Sequence, residues 1–149
     1  MTKILGWGLV MMSLASYSGA SEQPLQGAEG TKSHYNIIFH IDSDSEAVMK
    51  KTLRNAHNVL EDPRLKDKIT VEILANSGGH KLFLKTGAFE KELKDLDSKG
   101  VILAECMNTL EENKIEVSAF HSFVRFVPTG AGELAIRQAD GWAYIHPSP

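Results

Sequence analysis

Short apolar runs and amphipathic stretches alternate along most of this chain, and that alternation leaves few folds open. Tyr35-Asn36-Ile37-Ile38-Phe39-His40-Ile41 is a compact apolar run and predicts a buried strand. Ser43 and Glu46 have the spacing of a capping box, and Met49, Leu53, Ala56 and Leu60 then share one helical face up to Pro63. Ile69 to Ala75 is a second β-branched run, followed by Asn76-Ser77-Gly78-Gly79-His80 as a turn. Phe89, Leu93 and Leu96 have helical spacing, with Gly100 as a stop. Val101 to Glu105 predicts a third strand, and Asn108 with Glu111 predicts the cap of the next helix. Ile115 to Ala119 and Phe123 to Val127 each have room for a short strand. Leu134, Ile136 and Ala139 mark a helix over 131–140, Gly141 its cap, and Trp142 to Ile145 a closing strand. Strands separated by helices imply βαβ units, and so a three-layer α/β/α domain around a mainly parallel sheet. The pattern leaves the strand order open.

The first residues stand outside that alternation. Lys3, the apolar stretch Ile4 to Ala15 and the small residues Ser18-Gly19-Ala20 have the order of a signal peptide, with cleavage expected before Ser21. The apolar stretch is shorter than the ~20 residues that a membrane span needs. We therefore divide the chain into a signal peptide at 1–20, a flexible polar leader at 21–33 and one α/β domain at 34–149. The expected location is periplasmic or secreted, with no membrane association after cleavage. A formal charge of −3 and the lack of a basic cluster argue against nucleic acid as a partner.

Export sharpens the question of Cys106, the only cysteine. It cannot form an internal disulfide, and a lone thiol in an oxidising compartment is a liability unless buried or used. The pattern puts it in the turn between the third strand and the next helix, at the carboxyl edge of the sheet. Ligands bind at that edge in open α/β folds, and a helix N-terminus there favours a thiolate. A packed, inert cysteine is the plain alternative.

Two ordered stretches resemble one family. Gly100-Val101 followed by Cys106-Met107-Asn108-Thr109-Leu110 is similar to the cysteine segment of DsrE/DsrF-like proteins. Val127-Pro128-Thr129-Gly130, Glu133-Leu134, Gln138 and Gly141-Trp142-Ala143-Tyr144-Ile145-His146-Pro147 resembles their C-terminal signature. The resemblance spans roughly residues 35–147. It implies a sheet of about five strands, assembly into trimers or hexamers, and a cysteine that takes up sulfane sulfur as a persulfide and passes it on. A sulfur donor or acceptor protein would then be a partner.

Around Cys106 the candidates are His40, Asp42, Asn76, His80 and Asn108. His40 and Asp42 end the first strand and share the edge with Cys106; His40 could promote the thiolate or accept a proton, or simply be satisfied at a strand end. Asn76 to His80 follows the second strand to the same edge, where Gly78-Gly79 permits close backbone approach or an anion nest. Asn108 could donate to the sulfur or serve only as the helix cap. Trp142 and Tyr144 read as core or subunit-interface residues. A metal would require His40, Asp42, His80, Cys106 and His121 to converge; nothing has the paired spacing of a zinc site, so neither metal nor cofactor is assigned. The leading expectation is an exported sulfur carrier or sulfurtransferase-like protein. The rival is a non-enzymatic oligomeric module that binds a small ligand or metal.

Overall fold

The computed structural model describes residues 27–148, so the expected signal peptide at 1–20 and the start of the leader lie outside the described residues. Within them the chain alternates strands and helices as β1 (Tyr35–Ile41), α1 (Glu46–Glu61), β2 (Ile69–Ala75), a 3-10 segment (Ser77–Phe83), α2 (Glu90–Ser98), β3 (Ile102–Cys106), α3 (Met107–Asn113), a 3-10 turn (Val117–Ala119), β4 (Arg125–Val127), α4 (Gly130–Ala139) and β5 (Ala143–Ile145). The five strands form one sheet in the order β4-β3-β2-β1-β5, and every pairing is parallel. This is the expected α/β architecture of about five strands.

Alternation along the strands divides the core between two unequal faces. Ile37, Phe39 and Ile41 of β1, Val71 and Ile73 of β2 and Leu103 of β3 point to one side. There they pack on Val48, Met49, Leu53 and Ala56 of α1, Leu93 and Leu96 of α2 and Leu110 of α3. Each such side chain contributes about 1.5–3 kcal/mol on full burial, so this layer supplies most of the hydrophobic stabilisation. Ile38, Leu74 and Ala104 face the other side, where Leu134 of α4 and Trp142 cover them. The layers are therefore three, with α4 the one helix of its face among the described residues.

That asymmetry creates a topological switch. The helix after β3 lies on the α1 and α2 side, whereas the helix after neighbouring β4 crosses to the opposite side. Crevices in open α/β sheets open at the carboxyl ends of two such strands. Cys106, the last residue of β3, stands at this one.

Several local expectations are corrected. Helix α1 is capped by Ser45 rather than by a Ser43 capping box; Ser43 Oγ instead accepts the Ser45 N–H at 3.1 Å. Residues 115–119 hold no strand, only the 3-10 turn, and of 123–127 just Arg125–Val127 pairs. Cys106 is not in a turn: it ends β3 and is itself the residue that caps α3. Asn108 therefore lies inside the first turn of α3, exposed, and is not its cap. Gly100 and Gly141 do close α2 and α4, with φ of +83° and +82° that a side chain would strain.

Candidate functional site

Strand parity aims Cys106 toward the α4 face, the face of Ala104 two residues earlier. Its side chain is only 5 % exposed. The sulfur is not embedded in hydrocarbon alone, because Sγ accepts the backbone N–H of Gly130 at 3.1 Å. Gly130 is the first residue of α4, and the cap Thr129 turns its Oγ1 onto the Gly132 N–H at 3.0 Å. The thiol thus meets one of the N–H groups that a helix cannot satisfy internally, at the positive end of the peptide dipoles. Such a donor binds an anionic sulfur more strongly than a neutral one.

A polar row runs from this thiol across the sheet in strand order. Next to Cys106, after β2, stands Asn76; a Cβ built on Gly130 would lie 3.3 Å from Asn76 Nδ2 and 3.6 Å from Cys106 Cβ. Asn76 Oδ1 is 3.1 Å from Nε2 of His40 on β1. The other ring nitrogen, Nδ1, is 2.9 Å from the hydroxyl of Tyr144 on β5. His146 stacks on His40 with ring centres 5.1 Å apart, and its Nε2 lies 2.9 Å from Asp42 Oδ1. Hydrogen bonds and stacking thus join Asn76, His40, Tyr144, His146 and Asp42, and Gly130 lies between this group and Cys106.

Burial sets the charges around it. Glu105 is wholly buried, facing away from the row, and burial pushes its carboxyl up to about 9, against the opposing bond from the Cys106 N–H. It is a neutral acid at physiological pH, directly behind the thiol. The hydrogen bond from His146 holds Asp42 below the usual carboxylate range. Tyr144 is raised by burial and then by the charge of Asp42, so it remains a neutral phenol, able to donate or accept.

The structure brings Cys106, Asn76 and His40 together, and ties in Asp42 through His146. It does not bring in His80 or Asn108. His80 turns Nδ1 onto the Ser77 carbonyl within its own 3-10 segment, and Asn108 points to solvent. His121 is buried against Phe123, and among the described residues no three His, Cys, Asp or Glu side chains gather into a metal-binding group. Gly78 and Gly79 serve close approach rather than a nest, since their backbone packs on Ile41 to Asp44. Sequence reasoning missed Gly130, Tyr144 and His146 as site residues. All three were in view as C-terminal signature residues; what was not in view is that β5 lies beside β1.

Two cavities lie elsewhere. One of about 770 Å³ is lined by Gly27 to Gly30, Asn58, Arg64 and Lys68 at the amino edge of the sheet, and one of about 280 Å³ lies between α1 and α2. Neither touches the row, so the chemistry-bearing residues define the candidate site, not these hollows.

No protein-family model matches the chain, and no curated protein matches it. Among solved structures the chain is similar to the protein of unknown function MTH1491 from Methanobacterium thermoautotrophicum, with a TM-score of 0.72 and 29 % identity over 76 % of this chain and 99 % of that one. The likeness extends to essentially the whole of that protein and supports the five-stranded α/β fold.

Proposed function

We propose that this chain is an exported DsrE-like sulfur carrier in which Cys106 accepts sulfane sulfur as a persulfide. The observation that carries the reading is the Cys106 sulfur at the β3–β4 switch point, receiving the Gly130 N–H at 3.1 Å. In the loading step the Cys106 thiolate attacks the outer sulfur of a donor persulfide or polysulfide. A new S–S bond forms on Cys106, the donor's S–S bond breaks, and the shortened donor leaves as an anion. An acceptor thiolate reverses the sequence, so no external oxidant is consumed. The α4 N-terminus favours the anionic sulfur at both ends of the cycle.

The start of the chain, with Lys3, Ile4 to Ala15 and Ser18-Gly19-Ala20, supports export to the periplasm or beyond. Among the described residues no helix is long and apolar enough to cross a membrane. Assembly into a trimer or hexamer is part of the same reading. It is supported by α4 being the one helix on its face among the described residues and by Ile136, Tyr144 and Ile145, which are 59 %, 41 % and 39 % exposed. Light scattering on the mature chain tests it.

Cyanolysis tests the sulfur chemistry. Protein treated with polysulfide and desalted is expected to release thiocyanate on adding cyanide, with none from Cys106→Ser. Equal release from both would place the sulfur elsewhere and overturn the assignment.

The 5 % exposure of Cys106 favours a second reading, in which the row holds a small ligand or metal without turnover. Near-stoichiometric metal in protein purified without an affinity tag, lost in Cys106→Ser, would establish it.

A further inference from the structure

The two ends of the sheet are finished differently. β4 closes one end with Phe126 and Val127 half-buried, the charged Arg125 beside them and Pro128 directly after. β5 closes the other with Ala143, Tyr144 and Ile145, none of them charged and all of them exposed. Strands of a parallel sheet are ordinarily covered on both faces. β5 is exposed on both, with Ala143 and Ile145 on one face and Tyr144 on the other. It pairs with β1 alone, so its outer N–H and C=O groups meet no strand among the described residues. Pro147, which could blunt this edge, is instead buried. An uncharged, unpaired edge is a template for another strand.

The charges around the edge suit a second copy of the same strand. A two-fold axis through Tyr144, normal to the sheet, pairs β5 antiparallel with itself and sets Ala143 opposite the partner's Ile145. Asp140 lies as far before Tyr144 as Ser148 lies after it, so the axis carries Asp140 toward the partner's Ser148. Asp140 is exposed and in no ion pair among the described residues. The Ser148 carbonyl accepts Lys51 Nζ at 2.6 Å, which brings a cation with no carboxylate partner among the described residues to that end. Acid at one end of the edge and base at the other become complementary, twice over, when a copy is turned about the axis.

Resting on the reading that the chain assembles with itself, we infer that the free edge of β5 is an interface with a second copy of this chain. The two copies join as an antiparallel β5–β5 ladder about a two-fold axis at Tyr144. The contact reaches the candidate site, because the Tyr144 hydroxyl lies 2.9 Å from His40 Nδ1 and the partner's Tyr144 packs beside it on the same face. His40 of each copy is then screened by two tyrosines rather than by one exposed ring. A ladder this short is too small to hold two lone chains, but three of them between facing trimers act together. A lone trimer has no two-fold axis, so this interface selects the hexamer.

Cross-linking of the mature full-length chain tests the axis. Residues directly opposite in an antiparallel ladder have Cα atoms about 4.5–5.5 Å apart, within the span of a disulfide. Tyr144→Cys in a Cys106→Ser chain is expected to cross-link into pairs under mild oxidation, while Ser98→Cys, exposed on α2, stays single in the same background. Light scattering is expected to give six copies for wild type and three for Ile145→Lys, which puts a charge on the edge. Asp140→Lys should weaken the pairing about tenfold, and Lys51→Asp in the same chain should restore it. A trimeric wild type, or a Tyr144→Cys chain that cross-links no faster than Ser98→Cys, overturns the β5 interface and leaves the assembly reading standing. A monomeric wild-type chain overturns both.

Discussion

Glu105 and Cys106 are adjacent on β3 and point to opposite faces of the sheet, yet Oε1 of Glu105 turns back to accept the Cys106 N–H at 3.1 Å. The carboxyl is fully buried, and its second oxygen has no hydrogen-bond partner among the described residues. A neutral acid satisfies one backbone donor at the end of the strand without placing a negative charge behind the thiol.

The pH dependence of stability follows from that burial. Glu105 goes from an ordinary 4.5 to about 9 on folding, so between those values the folded chain holds a proton that the unfolded chain has released. The stability it contributes is full below about 4.5 and is lost as pH rises toward about 9. Glu105→Gln is expected to flatten this slope and to gain on wild type by the order of a few kcal/mol at pH 8. Urea unfolding of both proteins at pH 5 and pH 8 measures it; parallel losses would show that Glu105 is not the titrating group.

Glu72 and Arg137 form a second buried contact, on the α4 face. Arg137 Nη2 lies 2.8 Å from the wholly buried Glu72 carboxylate, its Nε lies 2.8 Å from Glu133, and its guanidinium stacks 4.3 Å above the Trp142 ring. Burial pushes Glu72 up to about 7 even with Arg137 opposing. Arg137→Leu leaves the carboxyl to stay protonated in the fold, so its cost should grow with pH, by about 1 kcal/mol between pH 5 and pH 8. Thermal unfolding at the two pH values checks this, and a pH-independent cost would contradict it.

Gly79 and Gly130 differ in what a side chain would meet. A Cβ at Gly79 would overlap the Ile41 carbonyl, a rigid backbone atom, so Gly79→Ala is expected to cost several kcal/mol. At Gly130 the nearest atoms are Asn76 Nδ2 at 3.3 Å and Asn76 Cβ at 3.4 Å. Gly130→Ala should therefore cost about 1 kcal/mol while displacing Asn76 from His40. Denaturant midpoints separate the two, and equal costs would mean that the Asn76 side chain does not bear on position 130.

Most of the scaffold was legible because it depends on local periodicity. The runs at 35–41, 69–75 and 101–105 are long and apolar enough to be read as strands, though the third is shifted by one residue to Ile102–Cys106, and α1 and α4 announce themselves by helical spacing. Cys106, His40 and Asn76 could be placed on one edge because parallel strands end on the same side. Strand order is a different matter, since it depends on which crossovers pack best. Tyr144 was read as core or interface because nothing local tells that β5 pairs with β1. Asn108 was misplaced by two residues, enough to turn it from cap to solvent, because Cys106 caps α3 with its backbone and leaves no polar signature. His80 shares the edge but turns back on Ser77, a choice made by a turn whose left-handed residue is not a glycine.

The central claim is that the sulfur held by Gly130 at the β3–β4 switch point is a reactive one, and intact mass tests it most directly. Mature wild-type protein exposed to polysulfide is expected to gain one or more sulfur atoms, to lose them to a small thiol, and to gain none as Cys106→Ser. A wild-type mass that does not change, with Cys106 silent to alkylating reagents until the chain is unfolded, would contradict the account and mark Cys106 as a packing residue.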